Sequence, residues 1–135
     1  MVKTLRALGF DYGTKRIGVA VGNIQSLTAN GVCVLKAKQG KPNWDEVKDL
    51  VNQWQPHYLV VGYPSQFDGS DITASKGAIK FANQLRELTQ LNTELIDERL
   101  TSHEARNLNK ALGQNRVDDL AAQLILQTWL NERAK

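Results

Sequence analysis

Apolar runs and helical stripes divide the chain into three consecutive strands, then strands alternating with helices. Leu5 to Phe10 is mostly apolar, the pattern of a strand buried on both faces of a sheet. Gly13 supplies a turn, and Ile17 to Gly22 (IGVAVG) reads as the returning strand. Gly31 to Leu35 (GVCVL) makes a third strand, and the polar stretch KAKQGKPN reads as a loop. From Trp44 to Trp54 the residues Trp44, Val47, Leu50, Val51 and Trp54 recur at helical spacing. Asn43 is placed to cap this helix and Gln55-Pro56 to end it, and both tryptophans read as core. Tyr58 to Gly62 (YLVVG) is a short buried strand, followed by a loop, YPSQFDGSD. A second helix, over about 72–88, carries Ala74, Ala78, Phe81, Ala82, Leu85 and Leu88 on one side. Thr93 to Ile96 reads as the last strand. Thr101-Ser102-His103-Glu104 has the form of a capping box, which starts a helix running to about Leu112 before Gly113. The final helix, from Val117 to about Glu132, places Val117, Leu120, Ala121, Leu124, Ile125 and Thr128 on one stripe.

The order βββαβαβαα predicts an α/β fold in which a three-strand meander feeds right-handed crossovers. The sheet is then mixed and five-stranded, with helices on both faces. No repeat or linker interrupts the 135 residues, so residues 1–135 are expected to form one domain.

Composition narrows the chemistry. Cys33 is the single cysteine, which excludes an internal disulfide and reads as a buried thiol in a reducing, cytoplasmic protein. No apolar run is long enough to span a bilayer, and no signal-peptide pattern opens the chain. One cysteine with His57 and His103 cannot make the usual zinc sets. His57 reads as an exposed turn residue and His103 as an exposed helical one. A P-loop is absent, as is any Ser/His/Asp spacing. A net charge of +3 permits a polyanionic partner without demanding one.

Acidic residues at element ends are the remaining candidates. Asp11 closes the first apolar strand just before the glycine turn, where it either holds a metal or merely starts the turn. Glu98 follows the last strand, where open α/β sheets bind ligands. Asp97 and Glu98 alternate sides, so one of them faces such a site. At roughly 100° per residue, Asp118 lies on the flank of the predicted stripe of the last helix and Asp119 points away, which selects Asp118. Carboxylates drawn from separate elements suit two Mg²⁺ or Mn²⁺ ions, since hard cations prefer oxygen and can clamp a phosphodiester. Lys15, Arg16, Arg99, Arg106, Lys110 and Arg116 flank these acids. Lys15, Arg16 and Arg99 are the residues expected to position phosphates.

Four segments, FDYGTKRIGVAVG, VGYPSQFDGS, DERLTSHEA and VDDLAAQLIL, resemble the YqgF family in order and spacing. That family is described as Holliday-junction resolvases and as nucleases maturing the 5′ end of 16S ribosomal RNA. The resemblance covers nearly the whole chain and implies an RNase H-like fold, divalent-metal nuclease activity, and catalytic acids falling on Asp11, Glu98 and Asp118. The chain departs from the family pattern at Ser65 and Gln66, in a shorter connection (LNKALGQNR), and at Asp119, where serine is common. The leading expectation is a metal-dependent nuclease acting on structured RNA or branched DNA, with pre-ribosomal particles as a further partner. Two other classes stay open: a non-catalytic RNA-binding module, and a domain related to actin-like ATPases, whose first phosphate loop DYGT also resembles.

Overall fold

The computed structural model describes residues 5–63, 72–97 and 117–134, with the side chains of residues 72–75 and 117–119 outside that description. Strands β1 (Arg6–Asp11), β2 (Arg16–Asn23), β3 (Thr28–Lys38) and β4 (Lys41–Pro42) precede helix α1 (Trp44–Trp54). They are followed by β5 (Tyr58–Tyr63), α2 (Ile72–Thr89), β6 (Asn92–Asp97) and α3 (Val117–Arg133). The strands form one sheet in the order β4-β3-β2-β1-β5-β6. Neighbours from β4 to β1 are antiparallel, whereas β1, β5 and β6 run parallel.

The predicted mixed sheet is therefore present, with six strands among the described residues rather than five. The additional strand lies in KAKQGKPN, whose polarity predicts a loop. Lys38 pairs with Lys41 across Gln39 and Gly40, whose φ values are 52° and 82°. Two successive residues at positive φ mark the tight turn that suits a twisted hairpin. The predicted helix at 101–112 and the loop at 64–71 lie outside the described residues.

The two faces of the sheet bury different kinds of side chain. Leu8, Phe10, Ile17, Val19 and Leu35 meet Val47 and Leu50 of α1 and Ala78, Phe81, Ala82 and Leu85 of α2. Trp44 stacks on Phe81 at 5.4 Å between centroids, as the core reading of that tryptophan requires. The other face belongs to α3, whose Ala122, Ile125, Leu126, Trp129 and Leu130 cover Ala7, Ala20, Val60 and Ile96. Here the helix lies close to the strands because the floor is glycine. A Cβ on Gly9 would stand 3.0 Å from the Leu126 Cβ, and one on Gly62 would stand 2.5 Å from the Ile125 Cδ1.

The buried stripe of α3 differs from the predicted one. Leu120, Ala121, Leu124 and Thr128 are only partly buried, whereas Ala122, Leu126, Trp129 and Leu130 are buried. The segment LAAQLIL is apolar nearly all round, so periodicity alone could not orient it, and contact with the glycine floor does. Two smaller expectations also change. Cys33 is half-buried rather than buried. His57 is half-buried rather than exposed, its N–H donating to the Arg6 carbonyl at 2.8 Å while its Nδ1 accepts from the Arg6 N–H at 3.3 Å.

Candidate functional site

Asp11 is the last residue of β1 and partly exposed. It lies between Gly18 of β2 and Gly62 of β5 in the sheet register. Leu8 and Phe10 face α1 and α2. Ala7 packs on the α3 side and Gly9 lies under Leu126. The period-two alternation of a strand thus turns Asp11 toward the face that carries α3.

The direction of α3 brings its first turn to the same end of the sheet. Trp129 packs against Tyr58, which begins β5, with ring centroids 5.6 Å apart. Ile125 covers Gly62, near the end of β5. The helix therefore runs antiparallel to β1 and β5, and its N-terminal turn, which contains Asp118 and Asp119, points toward the end at which Asp11 stands. Several polar contacts hold that course. The Gln123 Oε1 accepts the Gly31 N–H at 3.1 Å, the Gln127 Nε2 donates to the Leu27 carbonyl at 2.8 Å, and the Arg133 guanidinium covers the Tyr58 ring at 4.2 Å.

The observed stripe of α3 does not separate Asp118 from Asp119. Position 118 lies two turns before Ile125 and position 119 two turns before Leu126, and both of those later residues are buried. At 100° per residue the two positions sit roughly 50° on either side of the stripe's centre. Preference for Asp118 therefore rests on the family resemblance alone.

In β6, Ile96 packs on the α3 side, so Asp97, the next residue, alternates to the opposite side. Glu98 and Arg99 lie outside the described residues. Lys15 occupies the turn after β1 and Arg16 begins β2, both exposed. Asp11 is thus the one predicted carboxylate whose side chain is described. It offers hard oxygen ligands of the kind that Mg²⁺ and Mn²⁺ take. Among the described residues no group of three or more His, Cys, Asp or Glu could hold a metal.

The turn after Asp11 is tightly built. A Cβ at Gly13 would lie 2.6 Å from the Arg16 carbonyl oxygen, so glycine is required there by close approach. Tyr12, on the opposite side of the strand from Asp11, packs against Phe81 at 5.6 Å and donates its hydroxyl to the Gly40 carbonyl at 2.9 Å. Burial pushes its phenol up from the ordinary tyrosine range, so it remains a protonated donor at neutral pH. Tyr12→Phe removes this one clasp, and a loss of about 1 kcal/mol is expected. A urea midpoint unchanged from the parent would refute that role.

Comparison with known proteins agrees with this architecture. A protein from Azotobacter vinelandii named pre-16S rRNA nuclease is 46% identical over 132 residues, covering 93% of each chain. One of the same name from Coxiella burnetii is 43% identical over 135 residues, covering 97% of this chain and 96% of its own. Among solved structures, T. thermophilus RuvC in complex with Holliday junction substrate superposes with a TM-score of 0.64 at 12% identity, covering 96% of both chains. The fowlpox virus Holliday junction resolvase superposes with a TM-score of 0.59 at 15% identity, covering 97% of this chain and all of the other. Both establish the RNase H-like fold. The RuvX family model, described as Holliday junction resolvase, matches residues 5–132, and the chain belongs to this nuclease family, also called YqgF.

Proposed function

We propose that this chain is a divalent-metal-dependent hydrolase that processes the 5′ end of 16S ribosomal RNA precursor as a single cytoplasmic domain. The observation that supports the reading is the course of α3 over the face to which Asp11 turns, which directs its first turn toward the end of β1 where Asp11 stands. Asp11 would hold both cations, and Glu98 and Asp118 one each. Asp97 alternates to the side of β6 opposite Ile96 and α3, which leaves Glu98 as the contribution of the third element. When bound, Mg²⁺ or Mn²⁺ would polarise the scissile phosphate and neutralise the charge that builds on it.

The RNA substrate is supported by the names of relatives at 43% and 46% identity. A Holliday-junction substrate is supported by the description of the family model. Purified protein offered labelled 16S precursor and four-way DNA junctions side by side, with Mg²⁺ or Mn²⁺, tests the choice. Preferential cleavage of the precursor at a defined 5′ position is expected. Cleavage of junctions alone would reverse the assignment, and binding without cleavage of either would favour a non-catalytic RNA-binding module.

Lys15 and Arg16, and Arg99 beyond β6, are assigned to phosphate positioning. Replacing Lys15 and Arg16 together with Ala should weaken binding and lower the slope of log K against log salt by roughly 0.7–0.9 for each lost contact. Single-turnover cleavage of bound substrate should survive. Unaltered salt slopes would move the substrate path away from this turn.

A further inference from the structure

From Tyr12 to Pro42 the chain contains Lys15, Arg16, Lys36, Lys38 and Lys41 and no aspartate or glutamate. The sheet register gathers these cations. Arg16 pairs with Lys36 across β2 and β3, and Lys38 pairs with Lys41 across the β3–β4 turn. Cys33, Leu35 and Ala37 pack toward α1 and α2, so Lys36 and Lys38, which alternate with them, share the Asp11 face. Lys36, Lys38 and Lys41 are all exposed.

Their spacing follows a line leading away from Asp11. Asp11, Gly18 and Val34 lie in one row across the strands. The Arg16–Lys36 row lies two residues further along the strands and the Lys38–Lys41 row about four, or about 7 and 13 Å at strand rise. At 3.4 Å per nucleotide of one strand, 13 Å is the run of about four nucleotides. Val34, 40% exposed, gives the start of this path an apolar surface.

The ribbon is also held in place. The Ala37 N–H donates to the Lys15 carbonyl at 2.9 Å, the Gly40 N–H to the Thr14 carbonyl at 2.9 Å, and the Tyr12 hydroxyl to the Gly40 carbonyl. Edge strands commonly carry lysine to discourage pairing with other chains. That role does not call for cations directly opposite one another, an arrangement that destabilises a sheet. A polyanion lying over the Lys38–Lys41 pair would offset the repulsion there.

We propose that Lys36, Lys38 and Lys41 form a preorganised track that holds the backbone of the nucleic-acid substrate for about four nucleotides beyond the scissile phosphate. The track rests on the nuclease reading above, and it adds residues that this reading does not use. The test measures binding of labelled 16S precursor fragment and of a four-way DNA junction across a salt series. Changing Lys36, Lys38 and Lys41 together to Ala should lower the salt slope by about 2 to 3 for the favoured substrate. Lys38→Glu should weaken binding far more than Lys48→Glu, which makes the same charge change at an exposed position of α1. Normal wild-type binding with an unchanged slope in the triple variant would overturn the track and leave the nuclease reading intact. Equal effects of the two charge reversals would likewise overturn it, by showing that net charge alone matters. A wild-type protein that neither binds nor cleaves either nucleic acid would overturn the nuclease reading and the track with it.

Discussion

Asp11→Asn is expected to reduce single-turnover cleavage by about 1,000-fold, equivalent to about 4 kcal/mol of transition-state stabilisation. The substitution keeps the shape of the side chain and removes the charge that would hold the cations. Substrate affinity should stay level or rise slightly, because one anion near the phosphates is lost. A loss confined to kcat is the signature of an interaction made in the transition state. Cleavage retained in Asp11→Asn would remove this carboxylate from the proposed site. The same measurement resolves the neighbouring aspartates of α3. Asp118→Asn should match Asp11→Asn, while Asp119→Asn should cleave nearly as the parent does, and the reverse result would exchange their roles.

The second large effect concerns stability, and through it the site. Gly62 lies beside Asp11 in the register and beneath Ile125, which is 1% exposed. A Cβ at this position would stand 2.5, 3.2 and 3.3 Å from three side-chain carbons of Ile125. Gly62→Val places a branched side chain in that space, and overpacking of this kind costs about 1–3 kcal/mol or more. Denaturant unfolding should show the loss. Combining Gly62→Val with Ile125→Ala should recover part of it, because the two side chains compete for one volume. Since Ile125 is two turns after Asp118, any outward shift of α3 should also slow cleavage at bound substrate. A Gly62→Val protein of unchanged midpoint would show that α3 is not seated as closely as described.

Much of the architecture was legible along the chain because its signals are local. Asn43 caps α1 with its side chain accepting from the Asp45 N–H, and Gln55 ends the helix at φ 47°. The strand runs before Asp11, after Arg16 and after His57 appear where their apolar patterns begin and stop. The β3–β4 hairpin was missed because its turn, Gln39-Gly40, lies in a stretch whose polarity resembles a loop. The alternation of Leu35, Lys36, Ala37 and Lys38 was its local trace.

By itself the sequence determined the order of the described elements apart from β4, the placement of Asp11 at a strand end and the nuclease family, since each depends on neighbours in the chain or on whole motifs. Only the tertiary structure decided which side of α3 is buried. A helix apolar on several sides has no single preferred stripe, and Gly9, Gly22 and Gly62, brought together from three strands, provide the shallow floor that selects Ala122, Ile125 and Leu126. The same long-range pairing aligned Arg16 with Lys36 and Lys38 with Lys41. Charges distant in sequence become one surface through strand register, which the chain encodes in its folded packing rather than in any local pattern.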